Sequence, residues 1–105
     1  MVSHLVKNRW ILTVCEEWPI GVLTGYDNGR HCFVLEHVIS FQSERLMELL
    51  RYSLAEAVIH GFGAVVLSIP HEHPRSKALQ HVAEALNFRA HSNDSFQTWF
   101  FRTIP

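Results

Sequence analysis

The hexapeptide Ala64-Val65-Val66-Leu67-Ser68-Ile69 settles what kind of sheet this chain can build. It is short, continuously apolar but for Ser68, rich in β-formers, and closed by Pro70. Such a run reads as a strand covered on both faces, as in parallel pairing. The residues before it agree. From Glu44 to His60, Leu46, Met47, Leu49, Leu50, Leu54, Ala57 and Val58 recur at three- and four-residue spacing. That spacing predicts an amphipathic helix, with Ser43 as N-cap, Glu44 in the first turn and Gly61 as the C-terminal stop. Arg30 to Ser40, just upstream, predicts a strand. Strand, helix and strand make a parallel crossover, expected to be right-handed.

Working towards the N-terminus, Trp10 to Cys15 and Ile20 to Tyr26 predict two more strands. Glu16-Glu17-Trp18-Pro19 separates them, and Asp27-Asn28-Gly29 is a tight-turn signal before the third. Working towards the C-terminus, His71 to Arg75 reads as a loop and Ser76 to Leu86 as a second helix. Leu79, Val82, Ala83 and Leu86 face inward there, and Asn87 suits a left-handed C-cap. Phe88 to His91 and Phe96 to Thr103 read as final strands around the polar turn Ser92-Asn93-Asp94-Ser95. The predicted order is β-β-β-α-β-α-β-β. It is an α/β (α+β) class, a mixed and mostly antiparallel sheet with a helix on each face.

Composition bounds what such a domain does. The chain has 105 residues, the size of one domain, read as spanning 1–105. Apolar residues are 48%, which argues against disorder. Lys and Arg number 9 against 10 Asp and Glu, a net charge of −1, so the basic excess of a nucleic-acid binder is missing. Eight His would carry the charge from −1 to +7 if all were protonated. No apolar run approaches the ~20 residues needed to span a bilayer. The polar residues from Ser3 to Arg9 are unlike a signal peptide, so a cytoplasmic location is expected. Cys15 and Cys32 read as small buried strand residues rather than a disulfide.

Four passages together resemble the GNAT (N-acetyltransferase) superfamily. Trp18-Pro19-Ile20-Gly21-Val22-Leu23 resembles its second hairpin, and Leu35-Glu36-His37-Val38-Ile39-Ser40 its central strand. His60 to Leu67 resembles its helix-to-strand passage. Val82-Ala83-Glu84-Ala85-Leu86-Asn87-Phe88-Arg89 resembles the V-A-E-K-L-G-F-R signature. The resemblance implies acyl-coenzyme-A-dependent transfer to an amine. Acetyl-coenzyme A would lie between the third and fourth predicted strands, against the backbone of Val38, Ile39 and Ser40. Gln42, Ser43 and Arg45 would meet its pyrophosphate, and Arg75 and Ser76 an outer phosphate.

The same comparison shows departures. The family's first strand and following helices have no expected counterpart before Trp10, so the domain reads as N-terminally abbreviated. The family's phosphate loop carries glycines, whereas Phe41-Gln42-Ser43-Glu44-Arg45-Leu46-Met47 has none. Phosphates are held by backbone N–H groups that glycine lets approach closely. The family's Tyr acid falls at Ala83, and its Asn at Ser76.

Glu36 and His37 are the candidates for proton abstraction, expected on opposite faces of their strand. Glu36 could instead pair with Arg30, Arg89 or Arg102 across the sheet, or simply face solvent. His71-x-His73, with His81 beyond, is too sparse a pattern for a metal site, so no metal is expected. Arg75, Ser76 and Lys77 open a helix, where an anion is favoured. Trp99 and Phe101 should share one face of the last strand and Phe100 the other, with most aromatics in the core. Surplus apolar surface suggests a homodimer. Two functions follow: an N-acyltransferase acting on an unknown amine, or a non-catalytic binding or regulatory module that has lost acetyl-coenzyme A. Neither involves nucleic acid or membrane.

Overall fold

Among the described residues four strands, not three, precede the first helix. The computed structural model describes residues 2–6 and 9–104, with side chains from residue 9 onward except that of Ser43. The strands are β1 (Val2–Val6), β2 (Arg9–Cys15), β3 (Pro19–Asp27), β4 (Cys32–Ser40), β5 (Ala64–Pro70), β6 (Arg89–Asn93) and β7 (Gln97–Thr103). The helices are α1 (Leu46–Ile59) and α2 (Ser76–Ala85). All seven strands form one sheet in the order β1-β2-β3-β4-β5-β7-β6. β1 lies antiparallel to β2, from Val2 opposite Thr13 to Val6 opposite Arg9. The expected lack of a strand before Trp10 is therefore corrected. Its alternation is too short and polar to stand out, and pairing with β2 supplies what propensity does not.

β4 and β5 are the parallel pair, as the Ala64–Ile69 run requires. A second parallel relation was not expected. β5 is antiparallel to β7 and β7 to β6, so β6 runs parallel to β5. Both crossovers, β4-α1-β5 and β5-α2-β6, step the same way across the sheet. Sharing one hand, they put their helices on one side. α1 and α2 pack against each other, so the expected helix on each face is corrected to two helices on one face.

That face holds the core. Leu12, Leu23, Leu35, Val65, Leu67 and Phe100 from the sheet meet Leu49, Leu50, Ala57, Leu79 and Ala83 from the helices. Gly21 makes the close approach of α1 feasible. A Cβ there would lie 2.5 Å from the Ile39 carbonyl oxygen and 2.6 Å from a Leu49 methyl carbon. The other face carries Ile11, Val22, Tyr26, Val66, Ser68, Trp99 and Phe101, all half-buried. Trp99 and Phe101 do share it, with Phe100 opposite in the core. Trp18 and Phe96, however, are 74% and 78% exposed, outside the core in which most aromatics were expected.

The helix ends follow backbone chemistry. Gly61 (φ 76°) and Asn87 (φ 65°) take the expected left-handed positions after α1 and α2. α1 starts later than its spacing suggests, at Leu46 with Arg45 as N-cap, because Ser43–Arg45 forms a 3-10 turn. The Ser43 side chain, expected as the cap, lies outside the described residues. Cys15 is exposed and Cys32 half-buried, both free, rather than the buried pair expected. Cys15 sits where the β2–β3 register slips, at the outer end of the strand. Among the described residues no helix is long and apolar enough to cross a membrane.

Candidate active site

β4 and β5 part company half-way. Their pairing runs from Cys32 opposite Ala64 to Leu35 opposite Leu67 and then stops. β4 continues along β3 to Ser40, and β5 along β7 to Pro70. The result is a wedge-shaped gap inside the sheet, open at the carboxyl ends of both parallel strands. Ligands of open α/β sheets bind at such ends.

A β-bulge sits where the gap begins. Thr24 pairs with His37 but Gly25 pairs with Leu35, leaving Glu36 as the extra residue of β4. A bulge resets the alternation of side chains. Leu35 and Val38 both enter the core, while Glu36 and His37 are both exposed. The expectation of opposite faces for Glu36 and His37 is thus corrected. Both line one depression of about 220 Å³, with Tyr26, Ser68, Gln97 and Trp99. A bulge has no signature in a single sequence when neither residue is glycine.

Glu36 is oriented by Arg9, whose Nε lies 2.8 Å from its Oε1. The Arg9 guanidinium in turn lies 4.4 Å above the Tyr26 ring, a cation–π contact. Arg9 was not foreseen, and Arg30, Arg89 and Arg102 are not the partners. The register explains it: Arg9 opens β2 on the helix-free face, two strands from Glu36. Thr24 Oγ1 and His37 Nδ1 are 2.7 Å apart, and Ser68 Oγ donates to Gln97 Oε1.

The open end of the gap brings two expected residues together. Arg75 Nη1 donates to the Ser40 carbonyl at 2.8 Å, bridging the start of α2 to the end of β4. Ser40 Oγ donates to the Gln42 carbonyl. Ile39 is half exposed, and the Val38 side chain is buried in the core. Ser76 only begins α2, with its N–H on the His73 carbonyl at 3.0 Å. Arg45 turns elsewhere, to Glu48 and Glu16. Those two carboxylates, Glu48 foremost, hold its guanidinium protonated well above the usual range. Ala83, where a Tyr acid would stand, is fully buried. His71 Nε2 lies 3.0 Å from Thr98 Oγ1, and His73 Nδ1 accepts from the Arg75 N–H at 3.0 Å. A larger hollow, about 690 Å³, lies at the other end of the sheet between Glu84, Asn87, Arg89 and Arg102.

Solved structures share the fold of this chain. An IAA acetyltransferase from Bacillus cereus superposes with a TM-score of 0.79 at 11% identity, over 95% of this chain and 81% of that one. A probable acetyltransferase (GNAT family) from Chromobacterium violaceum gives 0.70 at 14% identity, over 93% and 60%. The chain has the GNAT fold. An aminoglycoside 6'-N-acetyltransferase complexed with coenzyme A gives 0.70 at 16% identity, over 94% and 75%. No family model and no curated protein matches the sequence.

The GNAT fold implies an acyl-coenzyme A donor, and the site fits it in one half. The β4 edge beyond Leu35 has no strand beside it on the β5 side, which suits the amides of the pantetheine arm. The pyrophosphate half does not fit the turn that opens α1. No described residue from 40 to 47 has the positive φ that curls N–H groups around an anion.

Proposed function

We propose that this chain is an N-acyltransferase that takes its acyl group from a thioester of the coenzyme A type. The observation that carries the reading is the coincidence of two features at one place. The gap between β4 and β5 opens where the bulge turns Glu36 and His37 onto one side. The solved neighbours that share the fold are acetyltransferases, one of them complexed with coenzyme A.

In this reading Glu36 removes the proton that the attacking amine must lose, a role that requires hydrogen-bond reach and not a particular fold. Arg9 keeps the carboxylate aimed along the helix-free face. His37 is fixed beside it by Thr24, and Trp99 and Tyr26 wall the place the amine enters. When bound, the thioester supplies the activated acyl carbon. The backbone of Val38, Ile39 and Ser40 receives the arm, with Arg75 at its outer end. An aminoglycoside is the first acceptor to assay.

The test is a thermal shift with acetyl-coenzyme A. Saturating ligand should add about 2–4 kcal/mol of stability. No shift at millimolar ligand would reject the reading and favour a non-catalytic module instead. The helix-free face beside the site, with Val22, Val66 and Phe101, also favours pairing with a second copy. Light scattering should give twice the 12.1 kDa of one chain. A particle of one chain's mass refutes the dimer.

A further inference from the structure

Three backbone donors that could receive a diphosphate beside the β4–β5 gap are engaged within the chain. The Phe41 N–H donates to the Ile20 carbonyl at 3.0 Å. The Gln42 N–H donates to Ser40 Oγ at 3.2 Å, and the Arg45 N–H to the Gln42 carbonyl at 3.0 Å. Leu46, the first residue of α1, is buried in the core. Side-chain charge points the same way. Arg45 Nη2 lies 2.6 Å from Glu16 and its Nε 2.8 Å from Glu48, with Glu44 exposed in the same turn. One guanidinium among three carboxylates leaves the start of α1 net negative. Glu48, in the first turn of α1, adds a carboxylate at the end of the helix where an anion would be drawn.

The other cations of this end offer little more. Arg75 is held on the Ser40 carbonyl, and Lys77 is a single exposed ammonium in the first turn of α2. A diphosphate needs several converging donors. The arm of the donor needs none of this. Pantetheine is an uncharged chain with two amides, and an open strand edge pairs with amides.

We propose that the chain reads the pantetheine arm of its acyl donor and leaves the nucleotide end unread. The donor class is therefore a pantetheine thioester, whether the arm is carried by coenzyme A or by a phosphopantetheine-bearing protein. This rests on the acyltransfer reading and narrows its donor.

The test titrates the whole chain calorimetrically with acetyl-coenzyme A, S-acetylpantetheine and an acetylated phosphopantetheine carrier protein. Acetyl-coenzyme A and S-acetylpantetheine should bind within about threefold of each other, since only a surplus contact to the nucleotide would separate them. Acetyl-coenzyme A binding tenfold or more tightly overturns the inference while leaving the acyltransfer reading intact. Binding of none of the three overturns both. A carrier protein that binds more tightly than S-acetylpantetheine supports the inference and identifies the carrier as the source of the arm.

A double variant checks the electrostatic cause. Glu16→Gln with Glu48→Gln releases Arg45 and should strengthen acetyl-coenzyme A binding about tenfold, the scale of one charge-assisted contact. S-acetylpantetheine binding should not change. An equal effect on both ligands, or none on acetyl-coenzyme A, overturns the inference.

Discussion

Replacing Glu36 by Gln is expected to lower acyl transfer by about 10²–10⁴-fold, the usual contribution of a positioned general base. The substitution keeps the size of the side chain and one hydrogen-bonding oxygen, so the Arg9 contact survives as a neutral–charged bond. What disappears is the capacity to take a proton from the amine. Donor binding should be unchanged, because the place proposed for the arm is the backbone of β4 beyond the bulge and not Glu36. The measurement is thiol release from acetyl-coenzyme A with an aminoglycoside or a panel of primary amines, alongside the thermal shift with donor alone. Turnover equal to wild type rejects Glu36 as the base. Loss of both turnover and the donor shift would instead mean that the bulge itself had collapsed. The bulge is then the feature to probe, through the Thr24–His37 contact that closes it.

The sequence carried the middle of the fold better than its beginning. Ala64–Ile69 reads as a buried parallel strand because every position but one is apolar, and the structure pairs it with β4 on one side and β7 on the other. Gly61 and Asn87 are equally legible, since a left-handed residue after a helix narrows the choice of side chain. β1 was not legible, because Val2–Val6 becomes a strand only by lying against β2. The side on which α2 packs was not legible either. It depends on β6 running parallel to β5, and that follows from the placement of β7 between them, which is a long-range fact. The site shows the same division. Glu36 and His37 stand out by residue type, and Arg75 and Ser40 by their places at the ends of elements. Their arrangement rests on a bulge, and on an arginine from β2 that is 27 positions away from Glu36 in the chain. Arg45 shows the opposite failure. Its position beside the gap suggests an anion contact, but Glu48 from its own helix and Glu16 from the β2–β3 connection hold it.

The close approach of Leu49 to Gly21 gives the second large effect. Leu49 is fully buried between α1 and the sheet, and its methyl groups press on Gly21 of β3. Leu49→Ala removes the buried carbons and leaves a cavity, at a cost of about 2–5 kcal/mol. In a domain of this length each kcal/mol moves the melting temperature by roughly 4–8 °C. That is a large share of the about 5–15 kcal/mol that holds such a domain folded. Gly21→Ala is destabilising for the opposite reason. Its new Cβ would stand 2.5 Å from the Ile39 carbonyl and 2.6 Å from Leu49, so backbone or helix must shift, at about 1–3 kcal/mol. The two changes are not independent. The space that Leu49→Ala opens lies over Gly21, so a methyl group at position 21 enters it. The double variant should lose less stability than the two single losses together, by about 0.5–3 kcal/mol. Compensation stays incomplete, because the Ile39 carbonyl is backbone held by the β3–β4 ladder and does not withdraw with Leu49. Denaturant unfolding of the four proteins measures the coupling. Strict additivity would mean that α1 does not bear on β3 at Gly21. Full rescue would mean that the β4 strand yields at Ile39, on the very edge where the pantetheine arm is placed.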